Sequence, residues 1–136
     1  MDGTRTAKLA TVRSDGTPHV APIAFVMDGD DILFVTAASS VKGKSLLRRG
    51  EVALAVDEEN APYPFVIIEG AATTSDDPKE LQHFATAVGV RYVGAEQAGE
   101  FGRKNSGAGQ ILVRVRPTKV VVRLNGDPRK AIDLRK

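Results

Sequence analysis

The densest group of residues able to hold something charged lies between positions 36 and 45, Thr36-Ala37-Ala38-Ser39-Ser40-Val41-Lys42-Gly43-Lys44-Ser45. Hydroxyls and unpaired amides at the start of a short helix, beside Lys42, Lys44, Arg48 and Arg49, are the components of an anion site. The helix dipole and the free N–H groups favour negative charge there, and a phosphate is the natural ligand. Each charge-assisted contact is worth about 1.5–3 kcal/mol, so two or three would anchor a nucleotide-like molecule. The plain alternative is a solvated helix face. Gly43-Lys44-Ser45 also invites a P-loop reading, but Ala38 stands where the first glycine of that motif is required, and strands and helices do not alternate around it.

Residues for covalent or acid–base chemistry are scarce. There is no cysteine, which removes disulfides, thiolate metal sites and cysteine nucleophiles. His19 and His83 are too few and too dispersed for a metal cluster, and the acidic run Asp57-Glu58-Glu59 reads as a solvated loop. An anion anchor without a convincing nucleophile or general base suits chemistry that a bound cofactor carries, with the protein supplying position and electrostatics.

The elements that must position this cluster follow from composition and pattern. A chain of 136 residues with 42% hydrophobic residues, 5% aromatic and no Trp builds its core from Val, Ile, Leu and Ala, which favours a single β-rich domain. A net charge of +2, from 19 basic and 17 acidic residues, argues against non-specific nucleic-acid binding. No apolar run approaches the ~20 residues of a membrane span, and the start, MDGTRTAKLA, lacks the apolar stretch of a signal peptide, so a cytoplasmic protein without membrane contact is expected.

KLATVR (8–13), HVAPIAFVM (19–27) and ILFVT (32–36) read as a three-stranded meander, with Asp15-Gly16 and DGDD as its turns. Pro22 points to an edge or a bulge in the second strand. KSLLRRG reads as a short helix stopped by Gly50, followed by strands at 51–57 and 63–75, the latter with a bend permitted by Gly70. Asp77-Pro78-Lys79-Glu80 starts a helix over 78–93 whose buried stripe is Leu81, Phe84, Ala85, Val88 and Tyr92, with Arg91 left to solvent. AEQAGEFGRKN reads as a weaker helix, ILVRVR and KVVVRL as two strands separated by a turn at Pro117-Thr118, and 125–136 as a loose, polar, basic tail after a domain spanning 1–124. The sum is a mainly β antiparallel barrel or half-barrel with one long and one short helix. Such a barrel encloses little volume, so a cofactor-sized ligand belongs in an outer groove or between subunits.

Read together, LATVRSDGTPHVAPIAF, DDILFVTAASSVKGKSLLRRGEVALAV, FVIIEGAATTSDDPKEL and RYVG resemble the split β-barrel superfamily of pyridoxamine phosphate oxidase-like flavin-binding proteins, from about Ala7 to about Val122. Within it the chain looks most like the branch that uses the deazaflavin coenzyme F420. The resemblance implies a homodimer with two cofactor sites at the interface. The family's phosphate stretch falls on Thr36, Lys42 and Lys44, with Ser39 and Ser40 as added donors, and its ring contacts fall on Ala21, Pro22, Ile23 and Ala24. The partner chain would bring the region of Tyr63, Pro64 and Phe65. The departures are Val41 where the oxidases proper carry Arg, Phe65 where they carry Gln, and no counterpart of their C-terminal Trp and Arg. They argue against vitamin B6 oxidation and leave room for a cofactor with a longer acidic tail, which Arg48, Arg49 or Lys104 would meet. The expected activity is hydride transfer between reduced F420 and a small conjugated acceptor. The alternatives are an FMN-dependent oxidoreductase of the same fold, or a non-catalytic carrier of flavin or haem with His19 or His83 as ligand.

Overall fold

The computed structural model describes residues 6–124 and the short strand Ile132–Asp133. In chain order its elements are β1 (Ala7–Val12), β2 (Pro18–Ile23), β3 (Val26–Asp28), β4 (Asp31–Ala37), α1 (Val41–Arg48), β5 (Glu51–Asp57), β6 (Phe65–Ser75), α2 (Pro78–Val93), α3 (Ala95–Lys104), β7 (Gln110–Arg123) and β8 (Ile132–Asp133). The strands form one antiparallel sheet ordered β2-β1-β5-β6-β7-β4-β3, with β8 added to β7. β2 and β3 lie at opposite ends of that order, yet only Ala24 and Phe25 separate them in the chain. Three Cα steps of 3.8 Å cap the span from Ile23 to Val26 at about 11 Å, so the two ends of the sheet must meet. The sheet is therefore a closed, split barrel. The single strand expected over 19–27 breaks here because one strand cannot serve both ends of a curled sheet.

The barrel core is built as the composition requires, from Leu9, Ile23, Phe25, Ile32, Phe34, Val52, Leu54, Val56, Ile111, Val113 and Val115, joined by Leu46 of α1. A second, smaller cluster lies outside the wall, where Leu33 and Leu112 meet Leu81 of α2, flanked by Val26, Val35 and Phe84. This explains why β4 is apolar on both faces: Ile32 and Phe34 point inward while Leu33 packs under the helix. Arg114 of β7 ties the β3–β4 turn to the wall with 2.9 Å ion pairs to Asp28 and Asp31.

Two sequence expectations change in the second half of the barrel. β7 is a single strand of 14 residues rather than two. Pro117-Thr118 is a β-bulge within it: Glu69 pairs with Lys119 and Gly70 with Pro117, leaving Thr118 as the extra residue. Pro117 is tolerated because the bulge interrupts the ladder, and the Thr118 hydroxyl donates to the Glu69 carbonyl at 3.2 Å. Gly70 is required by close approach, since a Cβ there would stand 2.6 Å from Val115 and 2.8 Å from the Arg116 carbonyl oxygen. The helix expected over 78–93 forms at those residues, capped by the Asp77 carboxylate accepting from the Lys79 amide. Arg91, however, is half-buried rather than solvated, with its guanidinium 4.4 Å from the centre of the Phe25 ring. Apart from Ile132–Asp133, which pair with Val122 and Val121, the expected loose tail lies outside the described residues.

Next to Arg91, the Tyr92 hydroxyl accepts a 3.1 Å bond from the Phe25 amide. It thereby pins α2 to the two-residue crossing that closes the barrel. Tyr92→Phe leaves that amide unsatisfied among buried neighbours, and we expect a loss of about 1–3 kcal/mol in urea unfolding. An unchanged midpoint would show that the crossing is held by packing alone.

Candidate functional site

α1 begins one turn earlier than the hydrophobic pattern suggests, at Val41, because Ser40 is a complete N-cap. Its hydroxyl accepts from the Gly43 amide at 3.0 Å and donates to the Ala37 carbonyl at 2.7 Å, and its carbonyl accepts from the Lys44 amide at 2.9 Å. Thr36 is buried directly beneath, its Oγ1 3.4 Å from Ser40 Oγ. Gly43 is fixed by packing: a Cβ would fall 2.1 Å from the Ala37 oxygen. The helix start therefore presses onto the end of β4. The glycine of Gly43-Lys44-Ser45 serves this contact and does not cradle a phosphate in a P-loop.

With the Ser40 hydroxyl and carbonyl spent on the cap, the amides of Val41 and Lys42 have no acceptor among the described residues. Lys42 is half-buried and lines a cleft of about 210 Å3 together with Pro22, Ile23 and Ala24 of the barrel edge. Val35, Ala85, Val88, Phe101 and Asn105 complete it. Four of the residues predicted for a cofactor thus meet, a cation and an edge-strand segment facing each other across an apolar wall. Asn105 is held in place by its Nδ2 donating to the Phe101 carbonyl at 2.8 Å.

The other predicted residues divide. Ser40 and Thr36 support the cleft from below through the cap, while Ala21 is half-buried on β2 and pairs with Leu9. Ser39 and Lys44 are exposed and do not line the cleft. Phe65 stands on β6, away from it, with the Arg123 guanidinium 3.9 Å from its ring centre. Just before it, Tyr63 is 57% exposed in the left-handed backbone region (φ 58°), a conformation uncommon for a bulky residue. Arg48 and Arg49 are engaged locally, Arg48 with the Val12 carbonyl and Arg49 with Glu51 at 2.8 Å. His83 is exposed and packs edge-on to Phe84, and no metal-ligand cluster occurs among the described residues. The wall from α2 and α3 was not foreseen. Phe101 and Asn105 share a helical face four residues apart, which is the only hint of it in the sequence.

The family model for pyridoxamine 5'-phosphate oxidase matches residues 2–124, nearly the whole chain. The chain belongs to the pyridoxamine 5'-phosphate oxidase family. Among solved structures of this fold, an F420 reductase is 26% identical, with 87% of this chain and 90% of that one covered and a TM-score of 0.68. A conserved hypothetical protein from Mycobacterium tuberculosis is 24% identical over 86% of this chain and 75% of that one, with a TM-score of 0.74. The haem storage protein of Vibrio cholerae shares the fold at 19% identity, with 82% and 80% covered and a TM-score of 0.67. No curated protein matches significantly. Among the described residues of this pyridoxamine 5'-phosphate oxidase family member, no helix is long and apolar enough to cross a membrane.

The two serines separate cap from ligand contact. Ser40→Ala should cost about 0.5–2 kcal/mol of stability through the lost cap, while Ser39→Ala should stay within about 0.5 kcal/mol. Thermal unfolding of the two variants side by side checks this. Equal effects would contradict the assignment of Ser40 as the cap.

Proposed function

We propose that the protein is a coenzyme F420-dependent oxidoreductase moving a hydride between the reduced deazaflavin and a small conjugated acceptor. The observation that carries the reading is the meeting of Lys42 with Pro22, Ile23 and Ala24 in one cleft. Lys42 and the unpaired amides at the start of α1 suit an anionic group, and the helix dipole adds to them. Val35, Ala85 and Val88 suit a flat aromatic system. β2 is an edge strand, so its outward backbone groups are available to the polar edge of a ring. The likeness to an F420 reductase over most of both chains supports the same reading.

The residues fit the group in part within one chain. Sites for cofactor-sized molecules run to about 300–1,000 Å3. A cleft of about 210 Å3 holds only a portion, so we take the site to be completed by a second copy of the chain. The outer face of β2, β1, β5 and β6 supports such a homodimer: it leaves Val20 66% and Ile67 39% exposed, beside the small residues Ala10, Ala53 and Ala55. The partner would bring Tyr63, Pro64 and Phe65 toward the ring. When bound, the deazaflavin supplies the hydride. The chain's part is to hold the ring against β2, to neutralise the anionic tail at Lys42, and to keep water away with the α2–α3 wall. A cytoplasmic enzyme acting on a small molecule, without nucleic acid or membrane, accords with the composition.

FMN in the same cleft is the second reading, because one lysine and a helix start suit a single phosphate as well. Haem binding has one observation of its own: His19 is half-buried and its Nδ1 is without a hydrogen-bond partner among the described residues. Fluorescence titration with F420 and FMN at two salt concentrations distinguishes them. We expect F420 to bind more tightly and to weaken with salt. Lys42→Ala should weaken F420 binding about ten- to a hundredfold, equivalent to about 1.5–3 kcal/mol, and Lys44→Ala far less because it is exposed. Preference for FMN would move the protein to the flavin enzymes. Binding of neither, with a haem absorption band on haem addition, would replace the proposal by a haem carrier.

A further inference from the structure

The barrel is not solid throughout. Between the ends of β1, β3, β5 and β6 lies a cavity of about 270 Å3, walled by Phe25, Ile32, Leu54, Val56, Val66 and Ile68. Phe25, Ile32, Leu54 and Val56 are buried, Val66, Ile68 and Arg91 are half-buried, and Met27 is 51% exposed. Among the described residues Arg91 is the one charged group in the lining. Its position is set twice over: its guanidinium lies over the Phe25 ring at 4.4 Å, and the neighbouring Tyr92 is bonded to the Phe25 amide. Among the described residues no carboxylate is in ion-pair reach of it. A half-buried guanidinium held over the Phe25 ring in an otherwise apolar lining is an arrangement that suits an anion carrying an apolar body.

We propose that this cavity is a binding site for a small apolar carboxylate, separate from the cofactor cleft and independent of the F420 reading. The carboxylate would meet Arg91, whose planar fork matches it in two-point fashion, and the apolar part would fill the chamber. At about 30 Å3 per non-hydrogen atom, the volume that one water takes in the liquid, the cavity has room for about nine such atoms. Benzoate and hexanoate are of that size. The two sites lie on opposite sides of the barrel crossing, since Ala24 lines the cleft and Phe25 lines the cavity.

The test is an NMR titration of the full chain, following methyl resonances, with benzoate and with benzamide, its neutral counterpart of equal size. Benzoate should bind with a dissociation constant on the order of 1 mM or below, as suits so few atoms. The shifts should centre on Ile32, Leu54, Val56 and Ile68, and benzamide should bind about ten- to a hundredfold more weakly. Arg91→Met should remove that margin while Arg91→Lys retains part of it, each with a wild-type circular dichroism spectrum. Equal binding of the two probes to the wild-type protein overturns the proposal and needs no variant. So do shifts confined to Val35 and Val88 in the cleft, or no shifts at millimolar benzoate.

Discussion

Two residues, Ala24 and Phe25, carry the constraint on which the rest of the molecule depends. They join the first strand of the sheet order to the last, so the sheet has no choice but to close. The crossing is also where the helical layer is fastened, through the bond from the Phe25 amide to Tyr92. The chain just before the crossing faces the cleft under Lys42, and Phe25 faces into the barrel under Arg91. A shift of this segment would disturb barrel closure, the seating of α2 and the edge strand of the candidate site together. Pro22 fits the role, since an edge position beside the crossing is where a missing N–H donor costs least.

Around that crossing the charges are sorted by burial. Arg49 is paired with Glu51, Arg48 is bonded to backbone, and Lys44 projects into solvent, so each contributes little to ligand affinity. Lys42 differs in being half-buried beside apolar walls, where water screens a charge less. The Ser40 cap and the close seating of Gly43 on Ala37 give this lysine a fixed base. The proposed hydride transfer would demand that two rigid partners be held at contact distance, away from water, more than it would demand a protein acid or base. A framework of buried Val, Leu and Ile with one placed cation answers that demand.

Much of this was legible from residue order. The long helix, its Asp77 cap, the turn glycines and the strand at 51–57 follow from local rules that tertiary packing does not override. Where local rules failed, a long-range constraint had won. HVAPIAFVM is one apolar run, but it is divided because its two halves belong to opposite edges of the sheet. Pro117 looks like a strand terminator, yet its partner strand shifts register at Gly70 to absorb it. Arg91 falls on the polar side of its helix by periodicity, but the crossing brings the Phe25 ring beneath it. Of the candidate site, Lys42 was readable from its polar, basic loop and the edge position of the second strand from Pro22, while only the resemblance put the two in one site. The wall supplied by Val35, Ala85, Val88 and Phe101 was not, because apolar residues drawn from three elements leave no motif.

The central claim is that one protomer holds the anionic end of the cofactor at Lys42 while the other completes the ring site at Phe65. Mixing protomers tests it most directly. Lys42→Ala and Phe65→Ala proteins are each titrated with F420 alone, then unfolded together, refolded as a mixture and titrated again. A shared site predicts that each parent binds weakly while the mixture regains wild-type affinity at a minority of its sites, because a mixed dimer carries one site with both lesions and one with neither. A mixture that binds no better than its parents would place both residues in the same protomer's site, or show that Phe65 takes no part, and would contradict the account.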